Sequence, residues 1–292
     1  MKSTVKVISL VIIICFIFTN CSSSSRRSKK AQLKAAEEEI IHDVEQLLEV
    51  LPPPSLVPFA LKSIDAEFDE KHINSLEKME AYKGDTDKMA LNMGIYASDI
   101  SYLAAYGRED DCINYLKASY KMAEELSDSA IYDQSHLDEF RTHIMNRNEK
   151  EIYRLLAKLF VETSVQIEKD HYLTMAGLAL TGSFVEGLYQ AVITLESYDD
   201  SEESKKLLEP LVKTVLGEEK AIRDLIQVLR DLPFDDTISE MRFELGILDE
   251  FYKGDLKEIE EKMSGNPDFI VSKDMMKDIT TEVKRIRSSI VK

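Results

Sequence analysis

The chain has 292 residues, with 54 acidic and 37 basic side chains and a formal charge of −17. A surface this acidic repels phosphate backbones, which argues against nucleic acid as a partner. The composition (no Trp, 10 Gly, 7 Pro) and apolar residues recurring at helical spacing point to an all-α protein, with no convincing alternating strand.

Lys2 and Lys6 precede an apolar stretch from Val7 to Phe18, broken only by Ser9. As a helix it reaches about 18 Å against a hydrocarbon core of about 30 Å, so it reads as a secretory signal and not a span. Ile17-Phe18-Thr19-Asn20-Cys21 follows and resembles the lipobox of bacterial lipoproteins. That resemblance implies a signal peptide over residues 1–20 and a diacylglycerol thioether on Cys21, to which a further amide-linked acyl chain such as palmitate can be added. Two acyl chains hold a protein on a membrane where one holds it only reversibly. Residues 21–30 then form a Ser/Arg/Lys tether, in which Arg26, Arg27, Lys29 and Lys30 can each contribute on the order of 1 kcal/mol against anionic head groups. Without the signal and tether cations, the body from residue 31 retains 31 basic and 54 acidic residues, or −23. The tether has no early acidic run, which favours the periplasmic face of the outer membrane over the cell surface.

Residues 31–292 read as a single helical domain, a multi-helix bundle of about ten helices. An amphipathic helix over Ala31–Val50 stops at Pro52-Pro53-Pro54. Shorter helices are expected over Ser55–Phe68 and Ile73–Tyr82. Asp85 or Thr86 caps a long helix that runs to Tyr106 and ends at Gly107. Glu109–Leu126, Ser135–Asn146, Glu149–Lys169 and Tyr172–Leu195 follow, the last ending before the acidic break Asp199–Glu203. Lys205–Leu216, Glu218–Asp231, Thr237–Tyr252 and Asp255–Met263 are amphipathic, and Gly265-Asn266-Pro267 makes a turn. Met276, Ile279, Val283, Ile286 and Ile290 give the last helix a heptad-like seam.

Two segments, Met89–Ala105 and Leu173–Leu195, are apolar nearly all round and belong at the bundle's centre. The second is long enough to cross a membrane, but Glu186, Gln190 and its Gly and Thr residues favour a buried core helix. They share a pattern: Gly94-Ile95-Tyr96-Ala97-Ser98-Asp99-Ile100 can be laid on Gly182-Ser183-Phe184-Val185-Glu186-Gly187-Leu188, as an internal duplication would allow. Leu91–Asp99, with Leu51–Pro58 before it and Gly182–Tyr189 after it, resembles uncharacterised helical lipoproteins of the Bacteroidota kind, a resemblance that implies a lipoprotein class and no particular activity. Tyr106-Gly107-Arg108 with Ile113, Tyr115, Leu116, Ala118 and Ala123 is similar to a tetratricopeptide helix pair, which implies helical-repeat-like packing; no 34-residue period follows.

Asp99 and Glu186 are carboxylates within these apolar helices, and a buried charge must find a partner, reach water or protonate. If the helices are neighbours, the acids can meet across a polar cavity with Tyr96, Ser98, Ser183 and Tyr189. Such a pair could bind a cation or act as acid and base, or form a structural ion pair with a basic residue elsewhere. His136, Glu139 and His143 share one helical face and have the donor types for zinc, although Asp138 and Arg141 beside them suit a solvated surface. Cys112 is the thiol left once Cys15 leaves with the signal and Cys21 takes lipid, and it reads as a buried side chain.

Zincin, nucleophile-elbow and phosphate-loop motifs are not found, and no cofactor is implied. The sequence therefore favours a membrane-anchored, non-catalytic binding or assembly module, with the membrane and a protein as possible partners. The alternative is a small-molecule or metal-binding domain, with or without enzymatic activity, that uses Asp99 and Glu186.

Overall fold

The computed structural model describes residues 56–127, 134–146, 151, 155, 169–266 and 268–292. These residues fall within one compact unit, Val44–Lys292. They are 82% helical, and no strand occurs among them. The signal segment, the lipobox, the tether, the expected helix over 31–50 and nearly all of that over 149–169 lie outside the described residues.

The helices are α1 (Leu56–Ser63), α2 (Thr86–Ala105), α3 (Glu109–Ser127), α4 (Gln134–Met145), α5 (Lys169–Ser197), α6 (Glu202–Leu216), α7 (Glu219–Asp231), α8 (Asp236–Lys253), α9 (Asp255–Gly265) and α10 (Lys277–Ile290). Their ends follow local chemistry. The Asp85 carboxylate accepts from the Lys88 amide to start α2, and Asp235 does the same for Ile238 at α8. Gly107, at φ +69, closes α2: the Arg108 amide reaches the Leu103 carbonyl at 2.9 Å and the Gly107 amide reaches Ala104 at 3.0 Å.

Helices α2 and α5 form the centre and make the most extensive helix–helix contact, with α10 lying next along α5. Every residue from Met89 to Leu103 is buried, as two-sided apolarity requires. The stretch Leu173–Ser197 has the length and hydropathy to cross a membrane, yet 83% of its apolar window is buried inside the fold, so packing accounts for its character. The two helices meet through glycines. A Cβ on Gly94 would sit 1.8 Å from the Ala179 carbonyl oxygen, and one on Gly182 would sit 1.9 Å from that of Leu91. The register that lays Gly94 on Gly182 also lays Leu91 on Ala179, so each glycine meets the equivalent carbonyl of the other helix. Gly182 meets Leu91 and, further along, Gln190 meets Asp99, so the helices run in the same direction.

Two expected helices before α2 take other forms. The first ends at Ser63, not Phe68, because Asp65 adopts φ +53 and the Ala66 amide turns back to the Leu61 carbonyl. Phe68 then stacks on Tyr102 and meets Tyr106 edge-on. In place of the helix over 73–82 there are two 3-10 turns, Glu70–His72 and Leu76–Ala81, on either side of Asn74, whose neighbours Ile73 and Ser75 are extended. The Asn74 amide is taken by Asp99, its carbonyl by Tyr115 and its side chain by Tyr82 and Asn92, so tertiary hydrogen bonds replace helical ones.

Candidate functional site: a buried acid centre

The side-by-side glycines bring the polar residues of α2 and α5 together. Asp99 and Glu186 are both 0% exposed, and their carboxyl groups lie within hydrogen-bonding reach of one another. Burial, and then the charge of Glu186, push the Asp99 carboxyl well above the usual carboxylate range. Asp99 is therefore biased toward its protonated form, with Glu186 beside it. The other Asp99 contacts are internal: Oδ2 accepts from the Asn74 amide at 3.0 Å and Oδ1 from Gln190 Nε2 at 3.3 Å.

Glu186 is matched from α10. Arg287 Nε and Nη2 donate to its two oxygens, both at 2.9 Å, in the fork geometry that suits guanidinium to carboxylate. Arg287 is 9% exposed and lies over the Tyr189 ring, 4.3 Å from its centre. Burial is the largest single influence and would lower its pKa, but the charge of Glu186, the hydrogen bonds to it and the neighbouring Asp99 together outweigh burial, and the net shift is upward. The Arg287 guanidinium thus faces the Glu186 carboxylate directly, beside an Asp99 carboxyl that burial biases toward its neutral form. A metal ion bound by both carboxylates would have to displace the guanidinium from Glu186.

A second layer fixes this centre. Asn92 Nδ2 donates to the carbonyls of Lys88 and Ile290, and its Oδ1 accepts from Asn74. Tyr82 hydroxyl accepts from Asn74 and donates to the Val291 carbonyl. His72 meets Thr194 at 2.7 Å and stacks on Tyr102, and its burial lowers the imidazole pKa.

The remaining residues of the expected site are placed unequally. Ser98 donates to Gln190 Oε1 at 3.5 Å and joins the centre through it. Tyr189 supplies the ring under Arg287 and donates to the Lys71 carbonyl. Tyr96 turns away, donating to the Ser75 carbonyl and packing edge-on against Tyr115. Ser183 Oγ is buried with no hydrogen-bond partner among the described residues. The acids touch directly, and neither lines the grooves found on the described surface.

Asn74, Asn92, Gln190 and Arg287 complete the centre and were not among the expected site residues. Arg287 had a signal: it lies four residues after Val283 and three before Ile290, on the apolar seam of the last helix. Asn92 and Gln190 also interrupt apolar runs, as the two acids do.

For the zinc candidate, α4 carries all three positions, with Glu139 and His143 half-buried, but the His136 side chain lies outside the described residues. Among the described residues, no group of three His, Cys, Asp or Glu side chains is placed to hold a metal. Cys112 is fully buried, and burial pushes its thiol up to about 12, which disfavours the nucleophilic thiolate.

A different feature lies at the far ends of α5 and α10. A groove of about 270 Å³ runs between the end of α5, α6 and the segment 271–281. Its floor includes Leu208, Val212, Val271 and Met276, and Lys205, Lys273 and Lys277 line it. No family model, curated protein or solved structure matches the chain.

Proposed function

We propose that this protein is a non-catalytic binding module that lipid on Cys21 holds at the outer membrane, facing the periplasm. The observation that carries the reading is the contrast between its two polar regions. The acids at the bundle's centre are satisfied by Arg287, Asn74 and Gln190 and have no exposed surface, so their chemistry is directed inward. The groove is open, has an apolar floor and a lining of three lysines and three carboxylates, and offers the concave mixed surface that small ligands occupy. Anchoring is supported by the apolar signal, the residues before Cys21 and a tether rich in Ser, Arg and Lys.

Attachment is tested by membrane fractionation of wild type and Cys21→Ser, with mass spectrometry of the N-terminal peptide. The expected result is a diacylglycerol-modified Cys21 in the membrane fraction and a variant that is soluble or unprocessed. A processed Cys21→Ser chain that remains on the membrane would remove the lipid anchor from the proposal.

A further inference from the structure

We propose that the groove between α5, α6 and α10 binds a short aliphatic carboxylate, with its anionic head among Lys205, Lys273 and Lys277 and its hydrocarbon tail on the floor. This deepens the reading of the chain as a binding module and rests on it.

The groove's charges support an anion. Its acids are largely engaged: Glu196 pairs with Lys284 at 2.7 Å, and Asp199 accepts from the Ser201 amide and from both the Ser201 and Ser204 hydroxyls. Those bonds hold the Asp199 carboxyl down to about 2. The lysines are less committed. Lys273 donates to the main-chain carbonyl of Glu196, not to its carboxylate. Lys205 is divided between Asp200 at 3.4 Å and Glu202 at 3.7 Å, and Lys277 makes no ion pair among the described residues. Asp274 is the opposing carboxylate, exposed at the lining. In a body with far more acids than bases, a lining of three lysines against three carboxylates is a local enrichment in ammonium groups, and Lys273 and Lys277 are the two that no carboxylate pairs among the described residues.

The floor supports a tail. Leu208, Val212, Val271 and Met276 are buried, as is Leu195 at the end of α5, so the base of the groove is aliphatic and holds no aromatic ring. A carboxylate that carries several methylenes places each part against its complement: methylenes on the apolar floor and oxygens within reach of the ammonium groups. A bare anion leaves the floor empty, and an uncharged chain leaves the lysines unmet.

The test uses the purified full chain with methyl groups of Met276, Val271 and Val212 observed by NMR during titration with hexanoate, hexan-1-ol, hexylammonium or acetate. Hexanoate is expected to shift these methyls and to bind about tenfold more tightly than hexan-1-ol, the difference that one charge-assisted hydrogen bond makes, and at least about tenfold more tightly than acetate, which keeps the head but lacks the methylenes that cover the floor. Lys273→Gln/Lys277→Gln is expected to bring hexanoate down to the level of hexan-1-ol and leave hexan-1-ol unchanged. Thr281→Trp, at an exposed position on the lining, is expected to exclude both. Tightest binding by hexylammonium, or equal binding of hexanoate and hexan-1-ol, would overturn the carboxylate proposal and leave the binding-module reading standing. Methyl signals that no probe moves would overturn the proposal and also withdraw the groove from that reading.

Discussion

The acid centre and the groove are built on the same two helices, and they treat charge in opposite ways. Midway along α5, Glu186 meets Arg287 of α10, and both are buried; at the end of α5, Glu196 pairs with Lys284 at the surface, and Lys277 at the start of α10 is exposed with no ion pair among the described residues. In the first region every charge has a dedicated internal partner, and the low dielectric makes those partners matter. In the second, water screens the lysines and leaves them available. A carboxylate in an apolar helix is thus a poor guide to a ligand site here, and a loosely paired lysine beside an apolar floor is a better one.

That comparison breaks most visibly at Glu186. Glu186→Ala leaves the Arg287 guanidinium buried without a counter-charge, and a loss of about 3–5 kcal/mol in urea denaturation is expected. A loss within about 0.5 kcal/mol, typical of an unconstrained surface site, would mean that the centre is solvated.

Gly182→Ala is next in size. Its Cβ would press on the Leu91 backbone, which cannot rotate away as a side chain can, so α2 and α5 must move apart at a cost of about 1–3 kcal/mol. Gly246, whose Cβ would meet nothing within 4 Å, is the control: Gly246→Ala lies in the interior of α8 and is expected to stabilise slightly. Equal effects of the two changes would remove the close crossing from the account.

Asp99→Asn sharpens the comparison through pH. In the folded chain the Asp99 carboxyl ionises well above its unfolded value, so the native state keeps a proton that the unfolded chain has released. Stability from this group is fully present below the unfolded pKa, about 3.9, and is lost as pH rises through the folded value. Asparagine can accept from the Asn74 amide and donate to Glu186 without ionising. The variant is expected to be less stable than wild type by about 1 kcal/mol at acid pH, and to close that gap as pH rises. A constant gap across the range would show that Asp99 does not titrate differently in the two states.

The sequence was most legible where pattern and burial coincide. Two helices apolar on all sides are the central pair, and the internal similarity that aligns Gly94 with Gly182 is also the register of their contact. The partner of Glu186 was harder to find because it comes from α10, and only its place on the seam marks it. The segment before α2 was the least legible. Its residues allow a helix, but the Asn74 bonds to Asp99, Tyr115, Tyr82 and Asn92 decide its path, and those partners are distant in sequence. The groove left no pattern at all, since Lys205, Lys273 and Lys277 belong to separate elements and look like ordinary solvated lysines.

The most direct measurement is a double-mutant cycle at Glu186 and Arg287, read by urea denaturation of Glu186→Ala, Arg287→Ala and the pair. If the centre is a sealed internal clasp, removing both groups costs much less than the sum of the single losses, with a coupling of about 2–3 kcal/mol. Losses that add to within about 0.5 kcal/mol would show that the two groups do not act as a pair, and would contradict the account.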